Sequence, residues 1–216
     1  MISHHPDSNL LVEFANGSCD WALGILINTH LQHCRHCRSQ VQQLEQLGSA
    51  LLTAGPKVSV DDACLEKLLR RIDETPATAA AVETKTSQTP GLPPVVQRLI
   101  KPGARWQKIS KHLKQQRLKT GQNKYEVALQ SIKSGGQVSR HDHRGLEYTV
   151  VLQGSFSDAE GIYCTGDFVL RQPGQAHKPT ASQNEDCLCL TAVEQPVRLT
   201  HWLGRMLNPF LRIHPA

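Results

Sequence analysis

Apolar residues recur at three- and four-residue offsets in the first third of the chain and at two-residue offsets beyond it. The first spacing keeps one side of a helix apolar, the second one face of a strand. Leu10, Leu11, Val12 and Phe14 follow the capping stretch Pro6-Asp7-Ser8 and stop at Asn16-Gly17, which predicts a short amphipathic helix. Ser18 or Asp20 can cap a second helix running from Trp21 through Ile27 to His30. A third carries Val41, Leu44 and Leu47, with Leu51 and Leu52 as an extension and Gly48 or Gly55 as a stop. A fourth starts near Ser59-Val60-Asp61-Asp62, with acids in its first turn, and presents Leu65, Leu68, Leu69 and Ile72. Residues 76–94 are rich in Thr, Pro, Ala and Ser, show no period, and predict a flexible linker. Strands are predicted near 95–99, 104–109, 112–118, 123–133, 146–154, 167–171 and 187–194, separated by glycine-marked turns.

The expected fold class is therefore α+β and multidomain. A small all-α bundle over residues 1–75 is followed by the linker and by an all-β sandwich or barrel over 95–216. Met206, Leu207, Phe210 and Leu211 are expected to pack on the barrel or on a neighbour.

Charge sharpens the division. Residues 1–85 hold seven Lys/Arg against ten Asp/Glu, and residues 86–216 hold seventeen against nine. Nine basic residues from Arg98 to Lys124 occur without an acid. Trp106 is nearly the only aromatic among them, so base stacking lacks a platform, and a solvated strand face is expected rather than DNA binding. No apolar run approaches the roughly 20 residues of a membrane span, and the first residues lack the basic and apolar regions of a secretory signal. Seven cysteines form no even framework; reduced thiols and a cytoplasmic location are expected.

Two clusters carry chemistry. His30, Cys34 and Cys37 are spaced so that a helix or a helix-turn junction brings them to one side. Thiolate and neutral imidazole are the ligands zinc prefers, and a closed structural site needs a fourth. His4 and His5 are the nearest upstream candidates, and spacing alone leaves both open. His33 and His36 point off the His30–Cys34–Cys37 side of a helix. The alternative is a pair of reduced cysteines among surface histidines. In the second cluster His141 and His143 face one side of a strand, Glu147 follows a short turn, and His177 returns from another strand. Three imidazoles and a carboxylate suit zinc, iron, manganese or nickel.

Gly135, His141, His143, Glu147 and Gly154 match the spacing of the first cupin motif in full. Gly166, Gly174 and His177 keep that of the second, with the proline at 173 and Ala181 where asparagine is usual. The whole chain resembles the ChrR-type zinc-binding anti-sigma factors, through His4-His5, the run Thr29–Cys37, the block His143–Glu147 and the block Asp186–Leu190. The resemblance implies a helical zinc domain with ligands His5, His30, Cys34 and Cys37, and a cupin barrel with metal ligands His141, His143, Glu147 and His177 holding zinc or another divalent transition metal. It implies an extracytoplasmic-function sigma factor as partner, inhibited until oxidants such as singlet oxygen are sensed through the cupin, and no catalytic activity. A metal-dependent cupin enzyme of dioxygenase or isomerase type is the alternative, with Asp142 or Tyr148 as its acid-base group. Cys187 and Cys189 flank Leu188 on one strand face and are candidates for a redox pair or for inert packing.

Overall fold

A computed structural model describes residues 2–74, 91–101, 103–200 and 212–215. The expected linker at 76–94 lies outside these residues up to position 90, and so do Met206, Leu207, Phe210 and Leu211.

Four helices occupy the front of the chain: α1 (Ser8–Ala15), α2 (Trp21–His33), α3 (Arg35–Ala54) and α4 (Asp62–Glu74). Their starts follow local chemistry. The Asp7 carboxylate accepts the Leu10 N–H and that of Asp20 accepts the Ala22 N–H, each satisfying a donor that the helix itself leaves free. Gly17, at φ 77°, turns the chain out of α1 where a Cβ would be strained. Gly48 does not stop α3, which ends at Gly55.

The break between α2 and α3 is a single residue. Cys34 is extended (φ −103°, ψ 105°), donates its N–H to the His30 carbonyl at the end of α2 and accepts the Cys37 N–H on its sulfur. One side chain thus ends one helix and starts the next. The candidate triad His30, Cys34 and Cys37 sits on this junction.

A fifth helix, α5 (Pro94–Leu99), stands where a strand was expected at 95–99. Pro94 takes the first helical position, where its missing N–H costs nothing, and this outweighs the β preference of Val95 and Val96. Val96 is fully buried and α5 packs against α2.

Eleven strands follow among the described residues: β1 (Gln107–Lys108), β2 (Leu113–Leu118), β3 (Glu126–Ile132), β4 (His141–His143), β5 (Glu147–Gln153), β6 (Ser155–Ser157), β7 (Ile162–Cys164), β8 (Phe168–Arg171), β9 (Thr180–Ala181), β10 (Cys187–Val193) and β11 (Val197–Leu199). They form a six-stranded antiparallel sheet in the order β1-β2-β3-β10-β5-β8, a three-stranded sheet β7-β6-β9 and the pair β11-β4. β6, β7, β9 and β11 are too short for their alternation to stand out in sequence.

The large sheet is covered on both faces. On β5, Tyr148, Val150 and Leu152 join the core beneath the front helices, whereas Val151 joins the core of the barrel. β10 divides likewise, with Leu190 and Ala192 on the helical side and Cys187 and Cys189 inside. Double burial is why these segments read as nearly continuous apolar runs. Leu23, Leu26 and Ile27 of α2 share one core with the sheet.

α4 differs from the other helices. Leu65, Leu68, Leu69 and Ile72 are each half or more exposed, so the expectation of four helices gathered about one site holds for three.

Candidate metal centres

The first cluster lies where the N-terminal segment crosses the α2–α3 junction. One ligand atom from each of His5, His30, Cys34 and Cys37 lies within 4.8 Å of all the others. His5 Nδ1 is 3.4 Å from both sulfurs. A tetrahedron with metal–sulfur distances of about 2.3 Å and metal–nitrogen distances of about 2.05 Å has an edge of about 3.5 Å, close to this spacing. His30 supplies a sharper test. A carbonyl only accepts, so His30 Nδ1 carries the proton it donates to the Gly166 oxygen at 2.7 Å. Nε2 is then a bare lone pair, fully buried and without a hydrogen-bond partner. A buried acceptor left so is costly unless it meets a cation. Burial also holds the His30 pKa down to about 4, keeping the ring neutral as a ligand must be. Burial, and then Cys34 beside it, push the Cys37 thiol up to about 12; a bound cation reverses that by displacing the proton.

His4 and His5 separate cleanly. Neighbours in extended backbone face opposite ways. His5 enters the cluster; His4 sits against Tyr163, ring centroids 4.7 Å apart, with Nδ1 3.5 Å from Asp167 Oδ2. His33 and His36 are exposed.

The second cluster is inside the barrel. β4 brings His141 and His143 to one side, the start of β5 brings Glu147, and a backbone bridge between His141 and His177 brings the fourth. All four residues are more than nine-tenths buried. His177 Nε2 lies 3.0 Å from His141 Nε2 and 3.1 Å from His143 Nε2, and Glu147 Oε2 lies 3.0 Å from His143 Nε2. His141 Nδ1–H donates to the Ser139 carbonyl, which leaves its Nε2 a bare lone pair aimed into the cluster. His177 Nδ1 lies between Asp158 Oδ2 at 3.2 Å and Arg171 Nε at 3.4 Å, so its outer nitrogen is held by the barrel while Nε2 faces the other ligand atoms. Burial holds His177 down to about 4 and lowers His141. For Glu147 burial works upward, but His143 together with the other imidazoles brings it to about 2. For His143 burial works downward, and Glu147 overturns it, so the ring stays above its ordinary value.

Residues 100–197 match the family model described as the ChrR cupin-like domain. The anti-sigma-E factor ChrR of Cereibacter sphaeroides is 30% identical over 213 residues, spanning 98% of this chain and 99% of that protein. The chain belongs to the ChrR family. The crystal structure of Rhodobacter sphaeroides SigE in complex with the anti-sigma ChrR matches 89% of this chain and 99% of that one, with a TM-score of 0.74 and 28% identity.

Around the second cluster, this ChrR-family chain places residues that sequence spacing did not point to. Arg171 of β8 bonds Asp158 Oδ2 at 2.7 Å, Glu160 Oε2 at 3.0 Å and the Tyr163 hydroxyl, and its Nε lies 3.4 Å from His177 Nδ1. Buried arginine and aspartate are seldom found unpaired, but nothing in their sequence neighbourhood reveals the partner. The two acid-base candidates of the enzyme alternative are otherwise engaged. Asp142 accepts the N–H groups of His143 and Gly174, and Tyr148 packs against Tyr125 and Phe168 on the helical side of the sheet. Cys187 and Cys189 point into the barrel with sulfurs 3.6 Å apart; the bond from Cys187, then burial, hold the Cys189 thiol well above its ordinary value. The nine basic residues from Arg98 to Lys124 are all exposed. Among the described residues no helix is long and apolar enough to cross a membrane.

Proposed function

We infer that this protein is an anti-sigma factor: it binds an extracytoplasmic-function sigma factor and keeps it from RNA polymerase. The observation that carries this beyond family membership is the unburied apolar stripe of α4, Leu65, Leu68, Leu69 and Ile72. Such a stripe on an amphipathic helix fits the groove or helices of a partner. A relative with which the chain shares nearly its whole length is named an anti-sigma factor, and a similar solved chain, named anti-sigma ChrR, was crystallised with SigE. A second apolar groove between α1 and α3, lined by Leu11, Val12, Leu44 and Leu47, extends the candidate surface. The acidic balance of residues 1–85 complements a basic partner.

In this reading zinc occupies His5, His30, Cys34 and Cys37 and holds the α2–α3 junction in its binding shape. His141, His143, Glu147 and His177 hold zinc or another divalent transition metal. Residues 1–75 grip the partner and residues 95–216 sense an oxidative signal such as singlet oxygen, in the cytoplasm. Cys187 and Cys189 would answer an oxidant only once the barrel opens, since buried thiols are shielded from it.

Co-expression of the full chain with candidate sigma factors, followed by affinity capture, tests the reading. One sigma factor should be retained at stoichiometric ratio; retention of none at micromolar concentration contradicts it.

A further inference from the structure

The barrel reaches the first cluster through one turn. Between β7 and β8 the chain runs Cys164-Thr165-Gly166-Asp167-Phe168, pinned to β5 by the Gly166 N–H to Val151 carbonyl bond at 2.8 Å and the Val151 N–H to Asp167 carbonyl bond at 3.1 Å. Asp167 is 1% exposed, yet among the described residues no lysine or arginine pairs with it. Its carboxylate is spent on backbone: Oδ1 accepts the N–H groups of Ser3 at 2.8 Å and His4 at 3.1 Å, and Oδ2 accepts that of Cys164 at 2.8 Å. The Phe168 N–H then donates to the His4 carbonyl at 3.0 Å, so residues 3–4 lie along the edge of the six-stranded sheet. One residue before Asp167, the Gly166 carbonyl takes the His30 Nδ1 proton. Gly166 has no room for a side chain: a Cβ would stand 2.7 Å from Ile2 and 2.9 Å from His33.

We propose that Asp167 is a positioning residue for the first metal cluster: it fixes the segment that aims His5, while the adjoining Gly166 carbonyl aims His30. The inference rests on the metal assignment made above. Two of four ligands are thus oriented by the barrel rather than by the helices. The strands that flank this turn touch the second cluster, since Arg171 lies four residues beyond Asp167 beside His177, and Tyr163 bonds Arg171 while its ring packs on His4. A change at His177 has a path of direct contacts to the segment bearing His5.

Cobalt(II) tests this in the intact chain. A thiolate-to-cobalt charge-transfer band reports the first cluster alone, because the second has no sulfur. In Asp167→Asn one oxygen is replaced by a donor that faces backbone N–H groups. The band should decay under excess chelator about 10–100-fold faster than in wild type, the usual cost of losing an outer-shell partner, while the barrel keeps its own metal. Ser3→Pro removes one of the two N–H donors to Asp167 Oδ1, leaves every hydrogen bond within the barrel intact and should also speed the decay, by several-fold; it decides the matter if Asp167→Asn does not fold. Decay at the wild-type rate in the folded variant overturns the inference alone. A wild-type chain with no thiolate band overturns the metal assignment and this inference with it.

Discussion

Leu68→Ala with Ile72→Ala probes the partner surface without disturbing the fold. The two side chains are four apart on α4, on one side of the helix, and are 53% and 61% exposed. Complete burial of a leucine or isoleucine stabilises by about 1.5–3 kcal/mol, and roughly half of that is still available at each position. Covering them with a partner and then cutting each back to alanine should cost about 0.8–1.5 kcal/mol apiece, about 1.5–3 kcal/mol together. At 1.4 kcal/mol per decade, the dissociation constant rises about 12- to 150-fold. The free protein should hardly notice: exposed substitutions shift stability by about 0.5 kcal/mol or less, and alanine is the better helix former. Calorimetric titration of the sigma factor, paired with thermal melts of the free chain, reads both quantities. A double variant that binds within threefold of wild type removes α4 from the interface. One that melts much lower shows instead that the stripe is packed within the free protein.

Three further outcomes follow from the same geometry. Cys37→Ser should lose one of two metal equivalents in elemental analysis, and with it part of the helical circular dichroism and most partner affinity, because the α2–α3 junction loses one of its four candidate ligands. His141→Ala should lose the other equivalent yet still bind the sigma factor, with release by oxidant abolished; binding assays before and after singlet-oxygen generation separate the two effects. Alkali should unfold the chain between about pH 10 and 12. Burial, then nearby carboxylates, push Tyr125 up to about 12; burial, then Tyr125, do the same to Tyr148. A folded pKa raised above the unfolded value near 10 leaves stability intact below pH 10 and removes it as pH climbs through 12. Tyrosinate absorbance should therefore rise together with the loss of sheet signal, and a rise well before unfolding would contradict the burial of these rings.

What the sequence disclosed and what it withheld divide along physical lines. Ligand types at fixed spacing are local facts, so His30, Cys34 and Cys37 stood out, as did His141, His143 and Glu147. The caps Asp7 and Asp20 were legible for the same reason. The choice between His4 and His5 depends on which way an extended segment faces once docked, and only the Asp167 bonds decide that. Arg171 and Asp158 were invisible because their partnership spans 13 residues and a change of sheet. α5 was mistaken for a strand because two adjacent valines masked the signal of a proline at the first helical position. The shared core of α2 and the sheet was missed as well: apolar runs on β5 and β10 announced double burial but not what lay on the second face.

The opposed orientation of His4 and His5 makes the front of the chain intolerant of length in a way it need not be of composition. Adding or deleting one residue between Ser3 and Pro6 reverses the parity of an extended segment, carrying the His5 imidazole away from the cysteine pair and the His4 ring away from Tyr163. Relatives built on this plan can vary what flanks these positions, but insertions there must come in pairs.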